Sequence, residues 1–335
     1  MKTITAVTTI GLDIAKSVFQ VHGIDEHGEV TIRQQLKRAR VLAFFGKLPP
    51  CRVGIEACAS AHYWGRELTA LGHDVRLMPP AYVKPYVKRQ KNDAADAEAI
   101  CEAVQRPSMR FVPIKTPDQQ AGLVLHRTRH LFVRQLTAVS NSIRAHLAEF
   151  GIVAPVGRQG VDELIAVIKD TKDHRIPDLV RTCLFALAIQ LDALKQQLRI
   201  LDRRLVGWHR TNEVCRRLDA IPGVGPALAT ALVASVGDPK VFRSGRDFSA
   251  WIGLVPKQNS SGGKEMARQY HQGGRSLSAL AVLCRSARRH PARCDPRQQA
   301  QALAQQAAGA PAGESGGDRA CQQACPYDLG SDGHG

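Results

Sequence analysis

The order in which strand-like and helix-like runs follow one another before Pro113 narrows the fold more than any other feature of this chain. Three apolar, β-branched runs stand side by side at the start: Ala6 to Leu12, ending at Asp13; Val18 to Ile24; and Val30 to Gln34. The turn sequence Asp25-Glu26-His27-Gly28 separates the second from the third, which predicts an antiparallel meander. Helices are expected next around Arg38 to Lys47 and Ala61 to Leu71. Strands are expected at Arg52 to Ile55, ending in Glu56, and at Asp74 to Met78, which stops at Pro79-Pro80. A further helix carries Asp93 and Asp96. The order is β-β-β-α-β-α-β-α, an α/β arrangement.

That order is the order of the ribonuclease-H-like fold, in which acids at the end of the first strand, the end of the fourth strand and the last helix meet. Those positions hold Asp13, Glu56 and the Asp93/Asp96 pair. Residues three apart share a helix face, so Asp93 and Asp96 can converge on one point. Carboxylates aimed at one point repel unless something positive sits between them, and a hard, oxygen-liganded cation such as Mg²⁺ (or Mn²⁺) satisfies the geometry. The basic residues just before, Lys84, Lys88, Arg89 and Lys91, suit a polyanion whose phosphates also touch the metal. Each acid alone also fits a solvated strand end or a charged first helical turn, with Asp93 near an N-cap. Four acids at three topological positions favour the metal site.

Composition points to the same partner. The 335 residues suggest two or three domains, and a hydrophobic content of 44% supports a folded chain over most of its length. A formal charge of +16 makes a broad positive field, so the expected partner is a polyanion. No apolar run approaches the roughly 20 residues that span a bilayer, and the N-terminus lacks a signal-peptide pattern. Nine cysteines without framework spacing fit a reducing compartment, so a cytoplasmic protein is expected.

Three segments then carry a resemblance: Gly11 to Lys16 (GLDIAK), Gly54 to Ser60 (GIEACAS) and Lys91 to Ile100 (KNDAADAEAI). They resemble the signature of DEDD transposases of the insertion-sequence-110 family, recombinases with a RuvC-like N-terminal domain that are guided by a structured bridge RNA. The resemblance implies a RuvC-like catalytic domain over 1–112, with Asp13, Glu56, Asp93 and Asp96 as the metal-binding tetrad. It implies DNA and a guide RNA as partners, and a homodimer or higher homo-oligomer holding two DNA sites.

After Pro117 the pattern turns helical, and residues 118–210 read as a helical linker. Gln119 to Phe150 is apolar at three- and four-residue spacing, with Arg127, Arg129, Arg134 and Arg144 among its polar positions. A Gly/Pro break follows at Gly151 to Gly160. A second long helix, about Ile176 to His209, carries Leu184, Leu187, Leu191, Leu194, Leu198, Leu201 and Leu205 near heptad spacing. This seam suits either a coiled-coil dimer contact or packing within the chain. Both helices would offer basic faces to nucleic acid.

Residues 211–265 read as a small α-helical C-terminal domain. Ile221-Pro222-Gly223-Val224-Gly225, between two helical segments, looks like a helix-hairpin-helix in which Gly223 and Gly225 let the turn approach a phosphate. An ordinary helix turn uses the same glycines. Arg246 to Glu265 resembles the family's C-terminal transposase domain, where a serine shortly after a G-L-x-P segment joins the DNA phosphate. Outward from Gly253-Leu254-Val255-Pro256 the equivalent is Ser261, with Ser260 its neighbour.

From about Met266 the chain leaves the family pattern, and its Gln-, Ala-, Gly- and Pro-rich end is expected to be disordered. Gln269 to Ala279 can be encoded by codons that, read one nucleotide later, give the missing family segment, so 266–335 is expected to be frameshifted. On that reading Cys284, Cys294, Cys321 and Cys325 are accidental and form no zinc site. The expected function is metal-assisted, RNA-guided DNA cleavage and joining through a serine. The alternatives are a junction-resolving nuclease that activates water, and an impaired nucleic-acid-binding remnant.

Overall fold

The protein is described by a computed structural model over residues 7–87, 93–221, 223–252, 257–261 and 264–268. The expected basic residues Lys88, Arg89 and Lys91, and the segment from 269 onward, lie outside the described residues. The chain divides into two compact units, Met1–Leu125 with Val233–Asp238, and His126–Leu232 with the part from Pro239 onward.

The first unit is built on a mixed five-stranded sheet of order β3-β2-β1-β4-β5. β1 (Thr9–Ile14), β2 (Val18–Ile24) and β3 (Val30–Lys37) form the antiparallel meander, because connections this short can only reverse the chain. In the β2–β3 turn the Asp25 carboxylate accepts the backbone N–H groups of His27 and Glu29, each at 2.9 Å, and Gly28 adopts φ 83°. The chain then crosses over through α1 (Val41–Phe45) to β4 (Arg52–Glu56), and through α2 (Ala61–Ala70) to β5 (Asp74–Met78). Both new strands enter parallel: β4 beside β1, then β5 beside β4.

Alternation along the strands separates two faces. Ile10, Leu12, Phe19, Val53 and Ile55 pack with Val41 and Phe45 of α1 and with Trp64 and Leu68 of α2. The opposite face is covered by α4 (Asp93–Ala103), whose Ala99, Ile100 and Ala103 join Met78, Val83 and Val104 in a second buried cluster. The short α3 (Pro80–Val83) and a 3₁₀ turn at Lys84–Tyr86 lead toward α4. The mixed sheet with helices on both faces is compatible with the ribonuclease-H-like expectation.

In the second unit, α5 (Pro117–Ala148, whose first turns belong to the first unit), α6 (Arg158–Lys169) and α7 (Asp178–Thr211) share one core. Val139, Ile143 and Leu147 meet Val161, Leu164, Ile165 and Ile168, and these meet Leu184, Ala188, Leu191 and Leu194. The first half of the leucine seam is therefore used within the chain. Further along, Leu198 and Leu201 are only half-buried. The opposite face of α7 exposes Phe185, Ile189 and Ile200.

Helix α6 begins inside the expected Gly/Pro break at Gly151 to Gly160 and runs on into residues for which the sequence reading names no element. Two arginines hold it in place. Arg181 donates to the carbonyls of Val167, Ile168, Asp170 and Asp173 at the end of α6. Arg144 donates to those of Ala154, Pro155 and Gly157 just before its start. The carbonyls at the end of α6 are among those a helix C-terminus leaves short of donors and those before its start belong to a loop, and one guanidinium with its fork of donors can serve several of them at once.

Beyond α7 come α8 (Glu213–Asp219), α9 (Pro226–Ser235) and α10 (Gly245–Trp251). The chain then forms an antiparallel hairpin of β6 (Lys257–Ser261) and β7 (Lys264–Arg268). The expected all-helical C-terminal segment thus contains a two-stranded sheet. Among the described residues no helix is long and apolar enough to cross a membrane.

Candidate active site

Parallel pairing of β1 with β4 runs from Thr9↔Arg52 to Leu12↔Ile55. Asp13 and Glu56 are the next residues on the two neighbouring strands, at the ends where parallel sheets present their ligands. Both are half-buried. By strand alternation they project from the face opposite Leu12 and Ile55, the face that α4 covers.

On α4, Asp96 stands one residue before the buried Ala97 and is half-buried. Its charge reaches Glu56: burial first, and Asp96 second, raise the Glu56 carboxyl above its ordinary value. Acids far apart in sequence, on a strand end and on a helix, are thereby brought into electrostatic contact. Asp93 opens α4 one turn earlier, and its side chain lies outside the described residues.

Among the described residues no three His, Cys, Asp or Glu side chains already stand in metal-ligand arrangement. The donor chemistry fits a metal nonetheless. Burial and the neighbouring Asp96 charge both raise the Glu56 carboxyl, as expected where carboxylates meet with no cation between them, and oxygen ligands suit Mg²⁺ or Mn²⁺.

The expected nucleic-acid contacts fare unevenly. Lys84 is exposed on the 3₁₀ turn before α4. Gly223 has φ 86°, a conformation that glycine adopts without strain, and a Cβ on Gly225 would meet open space. The turn is pinned by the Val224 N–H donating to the Ile221 carbonyl at 3.0 Å, and Gly225 accepts from Leu228 and Ala229 as α9 begins. α9 is in turn tied to α5, because His126 Nε2 lies 3.1 Å from Thr230 Oγ1.

Of the four arginines read as a basic face on α5, Arg127 and Arg134 are exposed. Arg129 instead pairs with Asp202 at 2.5 Å, and Arg144 is spent on backbone carbonyls. Ser260 and Ser261 end β6, with Ser261 in register with Lys264, and their side chains lie outside the described residues. The acids belong to the first unit and Ser261 to the second.

Sequence patterns gave no hint of a cavity of about 700 Å³ in the helical unit, bounded by Arg129, Leu136, Arg144, Lys195, Leu198 and Asp202. It forms where three helices diverge, a matter of packing that no single helix encodes.

Two family profiles match, one for the DEDD transposase domain of the IS110 type over residues 10–152, the other described as Transposase IS116/IS110/IS902 family over residues 215–303. The chain is 49% identical over 260 residues to the "Probable family 20 transposase" of Pseudomonas aeruginosa, covering 77% of each. It is 40% identical to the transposase for insertion sequence element IS1328 of Yersinia enterocolitica, covering 83% of each. The chain belongs to the IS116/IS110/IS902 family of transposases.

A third relative, the transposase for insertion sequence element IS1111A of Coxiella burnetii, is 39% identical, covering 78% of this chain and 71% of that one. The transposase is therefore a DNA-processing enzyme of DEDD type, and DEDD chemistry implies a divalent metal. The Asp13, Glu56, Asp93 and Asp96 positions all fall inside the DEDD match, and Gly223, Gly225 and Ser261 inside the second. The second match also reaches residue 303, into the segment expected to be out of frame.

Proposed function

We propose that this transposase cuts and rejoins DNA through a metal site of Asp13, Glu56, Asp93 and Asp96 in a RuvC-like, ribonuclease-H-type domain, with Ser261 as the nucleophile. The observation that supports the reading is geometric: Asp13 and Glu56 end neighbouring parallel strands on the face that α4 covers, and Asp96 on α4 is half-buried. A bound Mg²⁺ or Mn²⁺ supplies neutralisation of charge on the scissile phosphate.

The chain's own residues do the rest. Asp13, Glu56, Asp93 and Asp96 would hold the metal through their carboxylate oxygens. Ser261 Oγ forms a bond to phosphorus as the phosphorus–oxygen bond to the departing strand breaks. The serine proton leaves to a nearby base, and the departing oxygen is protonated. Reversal of this exchange by a second strand's hydroxyl joins the new ends and frees the serine. The turn at Gly223 and Gly225 holds DNA backbone without reading sequence. A guide RNA supplies the choice of site, in keeping with the family resemblance and with a charge of +16.

The exposed Phe185, Ile189 and Ile200 face of α7 supports self-association, which brings two DNA sites together. The decisive experiment traps covalent protein–DNA adducts on element-end DNA. Ser261→Ala should abolish the adduct while Ser260→Ala retains it. An undiminished adduct in Ser261→Ala refutes the nucleophile, and metal-dependent cleavage with no adduct in the parent chain favours a nuclease that activates water.

A further inference from the structure

The pairing register sets two glycines side by side in the middle of the sheet, Gly11 on β1 and Gly54 on β4. Both lie on the α4 face, two residues before Asp13 and Glu56 respectively. A Cβ on Gly11 would overlap the Ala97 carbonyl oxygen and stand 2.5 Å from the Cys101 amide nitrogen and 2.8 Å from Cys101 Cβ. The first two obstacles are backbone, so no rotamer change could make room. A Cβ on Gly54 would stand 2.9 Å from Val104 Cβ and 3.2 Å from Met78 Cε. The pair thus makes a gap in the side-chain layer where Ala97, Cys101 and Val104 sit, at helical spacings of four and three.

We infer that Gly11 and Gly54 are positioning residues for the acids: by letting α4 settle onto the sheet backbone they set how near Asp93 and Asp96 come to Asp13 and Glu56. The inference rests on the metal-site reading above. Its geometry is specific. Gly11 acts at Ala97, directly beside Asp96, whereas Gly54 acts at Val104, the residue just past the end of α4 and about two turns further along. A methyl at Gly11 must lift α4 by about 1 Å to reach ordinary contact, and a shift of that size is enough to spoil a ligand set. At Gly54 the Met78 side chain can yield part of the space.

A third sheet glycine provides a control. Gly23, on β2, is about as crowded as Gly54, with Val7 Cγ2 at 2.9 Å and Ile32 Cβ at 3.2 Å from a Cβ placed there, but these neighbours belong neither to α4 nor to the residue that follows it.

The test is Mn²⁺ binding by the full chain without DNA, read from the electron-paramagnetic-resonance signal of free Mn²⁺, beside thermal melts without metal. Asp13→Asn serves as the site control. Gly11→Ala should weaken Mn²⁺ binding by about tenfold or more, and Gly54→Ala by a few-fold. Gly23→Ala should lower the melting temperature yet leave Mn²⁺ affinity unchanged. Folded Gly11→Ala with parental affinity overturns the inference, as does Gly23→Ala weakening binding equally. If Gly11→Ala does not fold, Gly54→Ala against Gly23→Ala decides, and equal affinities overturn it. A parent chain that binds no Mn²⁺, or an Asp13→Asn chain that binds as well as the parent, removes the metal-site reading and this inference with it. The other failures leave that reading standing.

Discussion

Protonating His126 should loosen the helix that follows the glycine turn. Thr230 Oγ1 donates to the Pro226 carbonyl at 2.7 Å, so its hydrogen is spent, and Thr230 Oγ1 in turn accepts from His126 Nε2–H at 3.1 Å. Burial first, and the charge of Arg129 second, push the imidazole down from 6.5 to about 4. A histidine with a lowered folded pKa stays neutral in the fold while the unfolded chain takes up protons. Its contribution is complete above pH 6.5 and is lost as pH falls from there toward 4. Linkage over that gap gives about 2 kcal/mol by pH 5, and solvent around the half-buried ring reduces it to about 1 kcal/mol. The assay is hydrogen exchange of α9 amides at pH 7.5 and pH 5, corrected for intrinsic rates. The parent should lose about fivefold in protection between the two, and His126→Gln, which keeps a donor but cannot titrate there, should lose almost none. Equal losses in both chains would refute the reasoning, because they would place the pH sensitivity elsewhere.

Two further outcomes follow from the packing. Glu56 is raised, so the fold holds its proton more tightly than the unfolded chain does: this group stabilises below the ordinary carboxylate range and becomes a cost as pH rises through it. Asp96→Asn should therefore leave the metal-free melting temperature at pH 7.5 equal or higher, while removing the Mg²⁺-dependent gain, about 2.7 kcal/mol at a hundredfold excess over Kd in the parent; a parental Mg²⁺ gain would contradict it. Leu191→Ala, at a site with no exposure in the α5–α6–α7 core, should cost about 2–5 kcal/mol in urea unfolding. Phe185→Ser, on the exposed face of α7, should instead lower the mass seen in sedimentation with unfolding altered by less than about 0.5 kcal/mol.

Much of the first unit was legible because its strands are short and well punctuated. Val18–Ile24 and Asp74–Met78 match their predicted bounds, the first ended by an Asp-Glu-His-Gly turn and the second by Pro79-Pro80. β1 instead runs Thr9–Ile14, because Ile14 still pairs with Phe19 and carries the ladder past Asp13. Helix α6 was missed although Val161, Leu164, Ile165 and Ile168 have helical spacing, because Gly157 and Gly160 looked like breakers. Gly157 is the residue before the helix, at φ 110°, and a Cβ on Gly160 would overlap the Pro155 carbonyl. That second glycine makes room for the close approach of the loop that leads into the helix, which composition does not reveal. The β6–β7 hairpin did have a signal, since Gly262-Gly263 between two equal runs is a hairpin sequence. For the site, strand ends gave Asp13 and Glu56. The approach of Asp96 to Glu56 depends on how deeply α4 seats, which hydrophobic period leaves open.

The same distinction between counting and placing governs the charge. A surplus of +16 pointed to a polyanion, but it did not say which cations face it. In the helical unit Arg144 and Arg181 complete the loops around α6, and Arg129 and Lys195 are paired with Asp202 and Asp162. These side chains are fixed by the fold before any ligand arrives, and a cation already oriented by protein carbonyls or a carboxylate has fewer donors to offer a phosphate. Arg127 and Arg134 are different. They are exposed, and a separation of seven residues places them on one side of α5 about 10 Å apart. Of the four arginines that this helix displays in sequence, Arg127 and Arg134 are therefore the two left exposed to meet a polyanion.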